Sequence, residues 1–191
     1  VGQGADDLLL VYTSGSTGRP KGAVHSQDAV WANAQLSVAM HDYNPDGRQD
    51  RVLTILPMFH VGGLAIQTLA ALLSGAQVRV MTAFEPQQMA ALHASFKPTL
   101  TLHVPATLQA MLALPTWEAL DLSDLRAVSI GSTDVPIELI AALQDRGIPV
   151  LQIYGATESG PISIFQTIDQ ALAAPGSIGK APSGVEIKLQ N

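Results

Sequence analysis

The stretch Val52-Leu53-Thr54-Ile55-Leu56-Pro57-Met58-Phe59-His60-Val61-Gly62-Gly63 contains an apolar run of strand length, then a break carrying proline, histidine and paired glycines. An apolar run with so little polar alternation fits a strand buried on both faces, as in parallel sheets. Similar runs recur at Gln77 to Met81, Leu100 to Val104, Ala127 to Ile130 and Val150 to Ile153. Between them, helix-like segments run from Leu64 to Leu73 before Gly75, from Pro86 to Phe96 with Met89, Leu92 and Phe96 on one stripe, and from Ile137 to Gln144 before Gly147. A shorter helix is expected after Pro105. This alternation predicts an α/β fold, a doubly wound, largely parallel sheet with flanking helices. Ligands bind such sheets beyond the carboxyl ends of the strands. The unusual residues do follow the strands: His60-Val61-Gly62-Gly63 after the first, Gly131-Ser132-Thr133 after Ile130, and Tyr154-Gly155-Ala156-Thr157-Glu158-Ser159-Gly160 after Ile153.

Towards the N-terminus, the apolar run Leu8 to Val11 reads as a short buried strand, and a helix is expected from Ser26. Ser26 would cap it, Asp28 would favour its first turn, and Val30, Ala34 and Val38 form an apolar row. Asn44, Pro45, Asp46 and Gly47 break it. The loop between strand and helix, Tyr12-Thr13-Ser14-Gly15-Ser16-Thr17-Gly18-Arg19-Pro20-Lys21-Gly22, combines four hydroxyls, three glycines and two cations. Glycines let backbone N–H groups turn towards an anion, hydroxyls donate further bonds, and Lys21 is a mobile point charge. The loop therefore reads as a phosphate cradle, and the following helix is expected to start beside it and add its amides to the anion field. Lys21 precedes Gly22 rather than Ser or Thr, which excludes the ordinary P-loop.

Tyr12 to Gly22 resembles the signature of the adenylate-forming superfamily, which includes acyl-CoA synthetases, luciferases and the adenylation domains of peptide synthetases. Tyr154-Gly155-Ala156-Thr157-Glu158 matches that superfamily's Tyr-Gly-x-Thr-Glu motif, and Pro57 to Gly63 resembles its acyl-CoA synthetase version. The resemblance implies ATP and Mg²⁺ as cofactors and CoA as co-substrate. It places Thr13, Ser14, Gly15, Ser16, Thr17, Gly18 and Lys21 around the β- and γ-phosphates, with Thr157 near the α-phosphate and Glu158 on the metal. Tyr154 and Gly155, with Gly131, Ser132 and Thr133, would meet the adenine. Thr157, Glu158 and Lys21 are the implied catalytic residues. His60, Val61, Gly62 and Gly63 would line the acyl pocket, with His60 binding substrate rather than transferring protons. Without the family, Tyr154 reads as core and Thr157-Glu158 as a helix cap. Ser132, Thr133 and Asp134 depart from the family's Gly- and Ala-rich segment, and Asp134 also reads as a cap for the next helix. Gly176 to Lys180 and Gly184 to Lys188 resemble the next block in order.

The implied reaction joins a carboxylic acid, with a fatty or medium-chain acid leading and an aromatic acid second, to AMP and then to CoA. His60 in Met-Phe-His-Val-Gly-Gly favours acyl-CoA synthetases over amino-acid activators, which carry an aspartate-containing motif there. The rival readings are a non-catalytic nucleotide-binding module and a structural or interaction domain.

Of the 191 residues, 47% are apolar and 14% charged, enough for a core that buries roughly 70% of the chain's surface. The formal charge of -6 gives no general attraction to nucleic acid or anionic lipid, so an anion must be bound locally. The absence of cysteine excludes disulfides and thiolate sites. His25, His41, His93 and His103 lack metal-ligand spacing; the first three read as surface or structural, and His103 as near the pocket. A soluble, cytoplasmic protein is expected. The start at Val1 and the end after the strand-like Val185 to Leu189 read as an excerpt of a longer protein. Its expected segments are a phosphate-loop strand and helix (1–50), a nucleotide- and acyl-binding α/β unit (51–168), and a connector with the start of a β region (169–191). A mobile C-terminal domain would follow.

Overall fold

The computed structural model describes residues 2–15, 18–44 and 49–190. Strands β1 (Asp7–Thr13) and β2 (Lys21–Ser26) form an antiparallel hairpin. Helix α1 (Gln27–His41) follows directly, and the Ser26 hydroxyl caps it by accepting from the Ala29 N–H at 3.2 Å.

The main sheet has six strands. They are β3 (Arg51–Thr54), β4 (Gln77–Val80), β5 (Leu100–His103), β6 (Ala127–Gly131), β7 (Val150–Tyr154) and the short β8 (Ile164–Phe165), in the spatial order β4-β3-β5-β6-β7-β8. All neighbours run parallel except β7 and β8. The five strands expected between Val52 and Ile153 are all present, to within a residue or two at their ends.

Two faces are covered. Thr101 of β5 and Val128 of β6 face the side of α3 (Pro86–Ser95), α4 (Pro105–Leu112) and α5 (Ile137–Gln144), among Met89, Leu108, Met111 and Leu143. Ser129, the next residue on β6, points the other way and bonds the His41 ring of α1 at 2.7 Å. Alternation along one strand thus serves two helical layers.

The expected helix Leu64 to Leu73 takes an unexpected form. Gly62–Leu69 is a π-helical segment that passes into the short α2 (Ala70–Leu73). The Thr68 hydroxyl donates to the Gly63 carbonyl at 2.8 Å and sits 3.1 Å from the Thr54 hydroxyl, tying the wide turn to β3. Such segments are rare and are frequent at functional sites.

At the amino ends of the strands, Asp50 before β3 is 2% exposed and pairs with Arg126 before β6 at 2.8 Å. Arg126 also donates to the His41 and Asp42 carbonyls, which closes the C-terminus of α1. Thr99, before β5, donates to Asp50 at 2.6 Å.

Three expectations are corrected. Leu8 and Leu10 of β1 are 58% and 53% exposed, so the strand is not buried; its partner is a hairpin mate, and only one face is covered. The phosphate-loop region does not lead straight into a helix. Lys21–Ser26 forms β2, Asp7 pairs with Ser26 and Thr13 with Lys21, so α1 begins at the far end of the hairpin from the loop. At roughly 3.3 Å per strand residue, that separation removes the α1 amides from the anion field. The expected connector from Asp169 contains helix α6 (Ile168–Ala173), whose Ala171 is fully buried. Val185 to Leu189 forms no strand; nearby, Lys180 makes an isolated antiparallel bridge with Phe165.

The buried face of α1 also differs. Asn33, Ala34, Ser37, Met40 and His41 are inside, while Val30 and Val38 are half-buried. Small and polar residues fit here because the helix hydrogen-bonds its neighbours: Ser37 donates to the Ile66 carbonyl at 2.6 Å. Of the break after α1, Pro45, Asp46 and Gly47 lie outside the described residues. Asp42 already ends the helix in the left-handed region at φ 48°.

Candidate active site

The chain's direction changes at β3. The path moves outward to β4, returns past β3 to β5, and continues the other way to β6 and β7. Loops after β3 and β5 therefore diverge, leaving a crevice at the switch point. A cleft of about 460 Å³ lies there. Leu56, Pro57, Phe59, His60, Val61, Gly62 and Ile66 form one wall, Leu102, His103 and Val104 the floor, and Gly131, Ser132, Ile153, Gly155, Ala156, Thr157 and Pro161 the other wall. The first wall is mostly apolar, and the other is rich in backbone and hydroxyl groups.

The structure brings together residues far apart in sequence. His60 accepts the Gly62 N–H on Nδ1 at 3.1 Å, which fixes the ring over the start of the π-helical segment. A side chain at Gly62 would meet that ring and the Leu56 methyl at 3.3 Å each. Gly63 is buried but does not line the cleft. A Cβ there would meet the Leu56 carbonyl at 2.5 Å, so its smallness serves the close packing of the Pro57 turn.

Gly131 lies flat on β7, where a Cβ would come within 2.7 Å of the Ile153 carbonyl. Ser132 lines the cleft with φ 85°, a conformation that costs a residue with a side chain of order 1–3 kcal/mol. Thr133 is exposed and outside the lining. Asp134 does not cap α5, which starts after Pro136 with no side-chain cap.

Tyr154 is 59% exposed at the end of β7, so it is no core residue; it too stands outside the lining. Thr157 and Glu158 lie on a single 3₁₀ turn, Thr157–Ser159, rather than capping a longer helix.

The hairpin reaches this turn. The Thr13 hydroxyl donates to Glu158 Oε1 at 3.3 Å, across 145 residues of sequence. Lys21, opposite Thr13 in the hairpin, is exposed on the same end. Gly15 sits at φ 65°, and a Cβ there would collide with the Arg19 carbonyl, so the loop's fold requires glycine at that point. Ser14 is exposed, and the Gly18 N–H donates to the Gly15 carbonyl at 3.3 Å. Ser16 and Thr17 lie outside the described residues.

His103 borders the cleft but is buried; its Nδ1 lies 3.1 Å from the Thr107 hydroxyl, and burial pushes its pKa down to about 3. It is therefore neutral. His41 and His93 are likewise structural and buried, and His25 is buried in β2. Phe59, 85% exposed at the mouth, and Ile66, Leu102 and Val104 inside were not singled out from the sequence. The rule that ligands meet the carboxyl ends of strands would have found Leu102, near the end of β5, and Val104, just after it.

No group of three or more His, Cys, Asp or Glu among the described residues is arranged to hold a metal. A lone carboxylate with a neighbouring hydroxyl fits a magnesium ion that keeps its waters and the phosphates of a nucleotide. No helix among them is long and apolar enough to cross a membrane.

The chain is similar over most of its length to known proteins. It is 43% identical over 182 residues to an indoleacetate–CoA ligase from Aromatoleum aromaticum, covering 95% of this chain and 35% of that protein. It is 38% identical over 189 residues to a feruloyl-CoA synthase from Amycolatopsis, covering 97% and 38%. Among solved structures, the anthranilate CoA ligase AuaEII in complex with anthranoyl-AMP superposes with a TM-score of 0.88 at 28% identity, covering 98% of this chain and 36% of that one. The chain spans little more than a third of the length of the curated relatives it matches. The family model described as AMP-binding enzyme matches residues 2–191, and the chain belongs to that family.

Proposed function

We propose that this chain is the nucleotide- and acyl-binding part of an acid–CoA ligase that forms an acyl-AMP intermediate. The observation that carries the reading is the Thr13–Glu158 contact, which joins the hairpin loop to the motif turn at the edge of the cleft. In the first step a carboxylate oxygen attacks the α-phosphorus of ATP and the bond to pyrophosphate breaks. In the second, a thiol sulfur attacks the acyl carbon and AMP leaves.

Such chemistry asks the protein for positioning and charge neutralisation more than for a nucleophile. Ser14, Gly15, Ser16, Thr17, Gly18 and Lys21 would hold the β- and γ-phosphates, and Thr157 the α-phosphate. Gly131, Ser132, Thr133, Tyr154 and Gly155 would border the adenine. Glu158, with the Thr13 hydroxyl, would hold Mg²⁺, which neutralises phosphate charge when bound. His60 would orient the carboxylate, with Val61 and Gly62 lining the acyl wall and Gly63 letting the turn behind it pack closely. Residues 1–50, 51–168 and 169–191 are proposed as the functional segments of this part, the last continuing into a mobile domain.

Two acid classes compete. The small Gly62 would leave room for a fatty or medium-chain acid, which is the first class. An aryl acid is favoured by similarity, because the relatives at 43% and 38% identity are named for indoleacetate and ferulate while a long-chain-fatty-acid–CoA ligase stands at 32%. The test is pyrophosphate exchange and CoA-thioester formation by the full-length protein on a panel of both acid classes. Absence of exchange with every acid of the panel would leave the non-catalytic nucleotide-binding reading, and calorimetry with MgATP would separate that from an interaction domain.

A further inference from the structure

The turn carrying Thr157 and Glu158 has little structure of its own, yet one helix reaches it from outside. Asn33, on the buried face of α1, donates from Nδ2 to the Ile162 carbonyl at 3.0 Å. Among the described residues, this is the only side-chain hydrogen bond from outside 154–163 to that segment's backbone; the others come from Ser159 within it. Asn33 is buried, and its own Oδ1 has no hydrogen-bond partner among the described residues. An amide that leaves a buried acceptor empty is a poor device for stability alone. What it retains is the donor to the loop.

The loop is shaped to receive it. Gly160 takes φ 77°, and a Cβ there would stand 2.8 Å from Asn33 Nδ2, so glycine at this position lets the amide seat under the turn. Helix α1 also grows without a break from β2, whose far end carries Lys21 opposite Thr13. One rigid element therefore holds both walls: the hairpin by covalent continuity, the Thr157–Glu158 turn by the Asn33 amide.

We infer that Asn33 is a positioning residue, fixing Glu158 and Thr157 at their working distance from the hairpin loop. The inference rests on the proposed adenylating function. Asn33 touches no reactant; it acts through Glu158.

The test uses the full-length protein with Asn33→Leu, which removes the donor at similar size, and Gly160→Ala, which crowds the same seat. Hydrogen–deuterium exchange reads the tether without reference to catalysis: both variants should lose protection in 155–163 while β5, β6 and β7 keep theirs. Pyrophosphate exchange reads the positioning, with an expected fall of about 10²-fold in kcat/KM for MgATP, the scale of an ångström misplacement, and an unchanged KM for the acid. In a cycle with Glu158→Gln, Asn33→Leu should add little to the loss already caused by Glu158→Gln. Unchanged protection of 155–163, or losses that multiply fully in the double variant, would overturn the inference. Failure of the wild-type protein to exchange pyrophosphate with any acid of the panel would instead overturn the functional reading, and the protection data would then decide the tether alone.

Discussion

At the scale of single residues, the cleft mixes positions that the backbone dictates with positions that chemistry dictates. Ser132 is strained: it holds φ 85° at the end of β6, where a glycine would carry no penalty. Ser132→Gly should raise stability by about 1 kcal/mol, a rise of roughly 2–4 °C in Tm for a chain of this size, read by calorimetry. A drop in Tm would show that the serine side chain compensates its own strain. Gly62 is the opposite case, since its φ is ordinary and the space is what matters. Gly62→Val should push against the His60 ring and the Leu56 methyl, each 3.3 Å from a Cβ, and shift the accepted acids towards smaller ones on the panel. A preference profile identical to wild type would remove Gly62 from the acyl wall. Glu158→Gln keeps the shape and the acceptor for Thr13 but removes the charge; pyrophosphate exchange should fall by of order 10²-fold and require more Mg²⁺.

At the scale of elements, one clasp joins three strand starts to a helix end. Asp50, Thr99 and Arg126 precede β3, β5 and β6, and Arg126 closes α1 through the His41 and Asp42 carbonyls. Removing the cation leaves a buried carboxylate without its partner, so Arg126→Ala should cost about 3–5 kcal/mol, measured as a fall in the urea midpoint at constant slope. A loss below about 1 kcal/mol would mean the pair is screened like a surface one. This clasp was not legible in the sequence, because Asp50 and Arg126 stand 76 residues apart and each alone looks like a surface charge. The parallel strands were legible because burial on both faces leaves unbroken apolar runs such as Val150 to Ile153. β2 was not, because Lys21-Gly22-Ala23-Val24-His25-Ser26 carries no such run and owes its pairing to β1. The same gap misplaced the start of α1 relative to the loop. In the cleft, His60, Gly62, Gly131 and Thr157 were found from their places after strands, whereas Asn33 escaped notice because its role depends on a carbonyl 129 residues away.

At the scale of the whole molecule, three neutral imidazoles buried in its layers set the response to acid. His41 bonds Ser37 and Ser129 between α1 and β6, and its pKa is lowered to about 4, first by burial and then by the Arg126 charge, against the opposing pull of the Ser37 carbonyl and Asp50. His93 is lowered to about 4 by burial and by Arg146, and His103 to about 3 by burial and by the neighbouring His93. Each group titrates near its ordinary 6.5 when the chain unfolds. Between that value and the folded one, the unfolded chain binds more protons, so stability must rise with pH in that window. The contribution is complete above about pH 6.5 and is lost as pH falls towards 4 for His41 and His93 and towards 3 for His103. Each is worth of order a few kcal/mol. Asp50 acts later: despite burial, its bonds to Arg126, Thr99 and the Asn44 N–H hold its carboxyl below the usual range, so its loss begins only below the normal carboxylate pKa. The urea midpoint should therefore fall steadily from about pH 7 to about pH 5.5, above the range in which ordinary carboxylates titrate. His93→Phe, which fills the same apolar site without a titrating group, should flatten that slope by about a third, even if its midpoint at pH 7 shifts. A midpoint independent of pH across this range would mean that the three imidazoles are hydrated in the fold and that the layers around them are open to water.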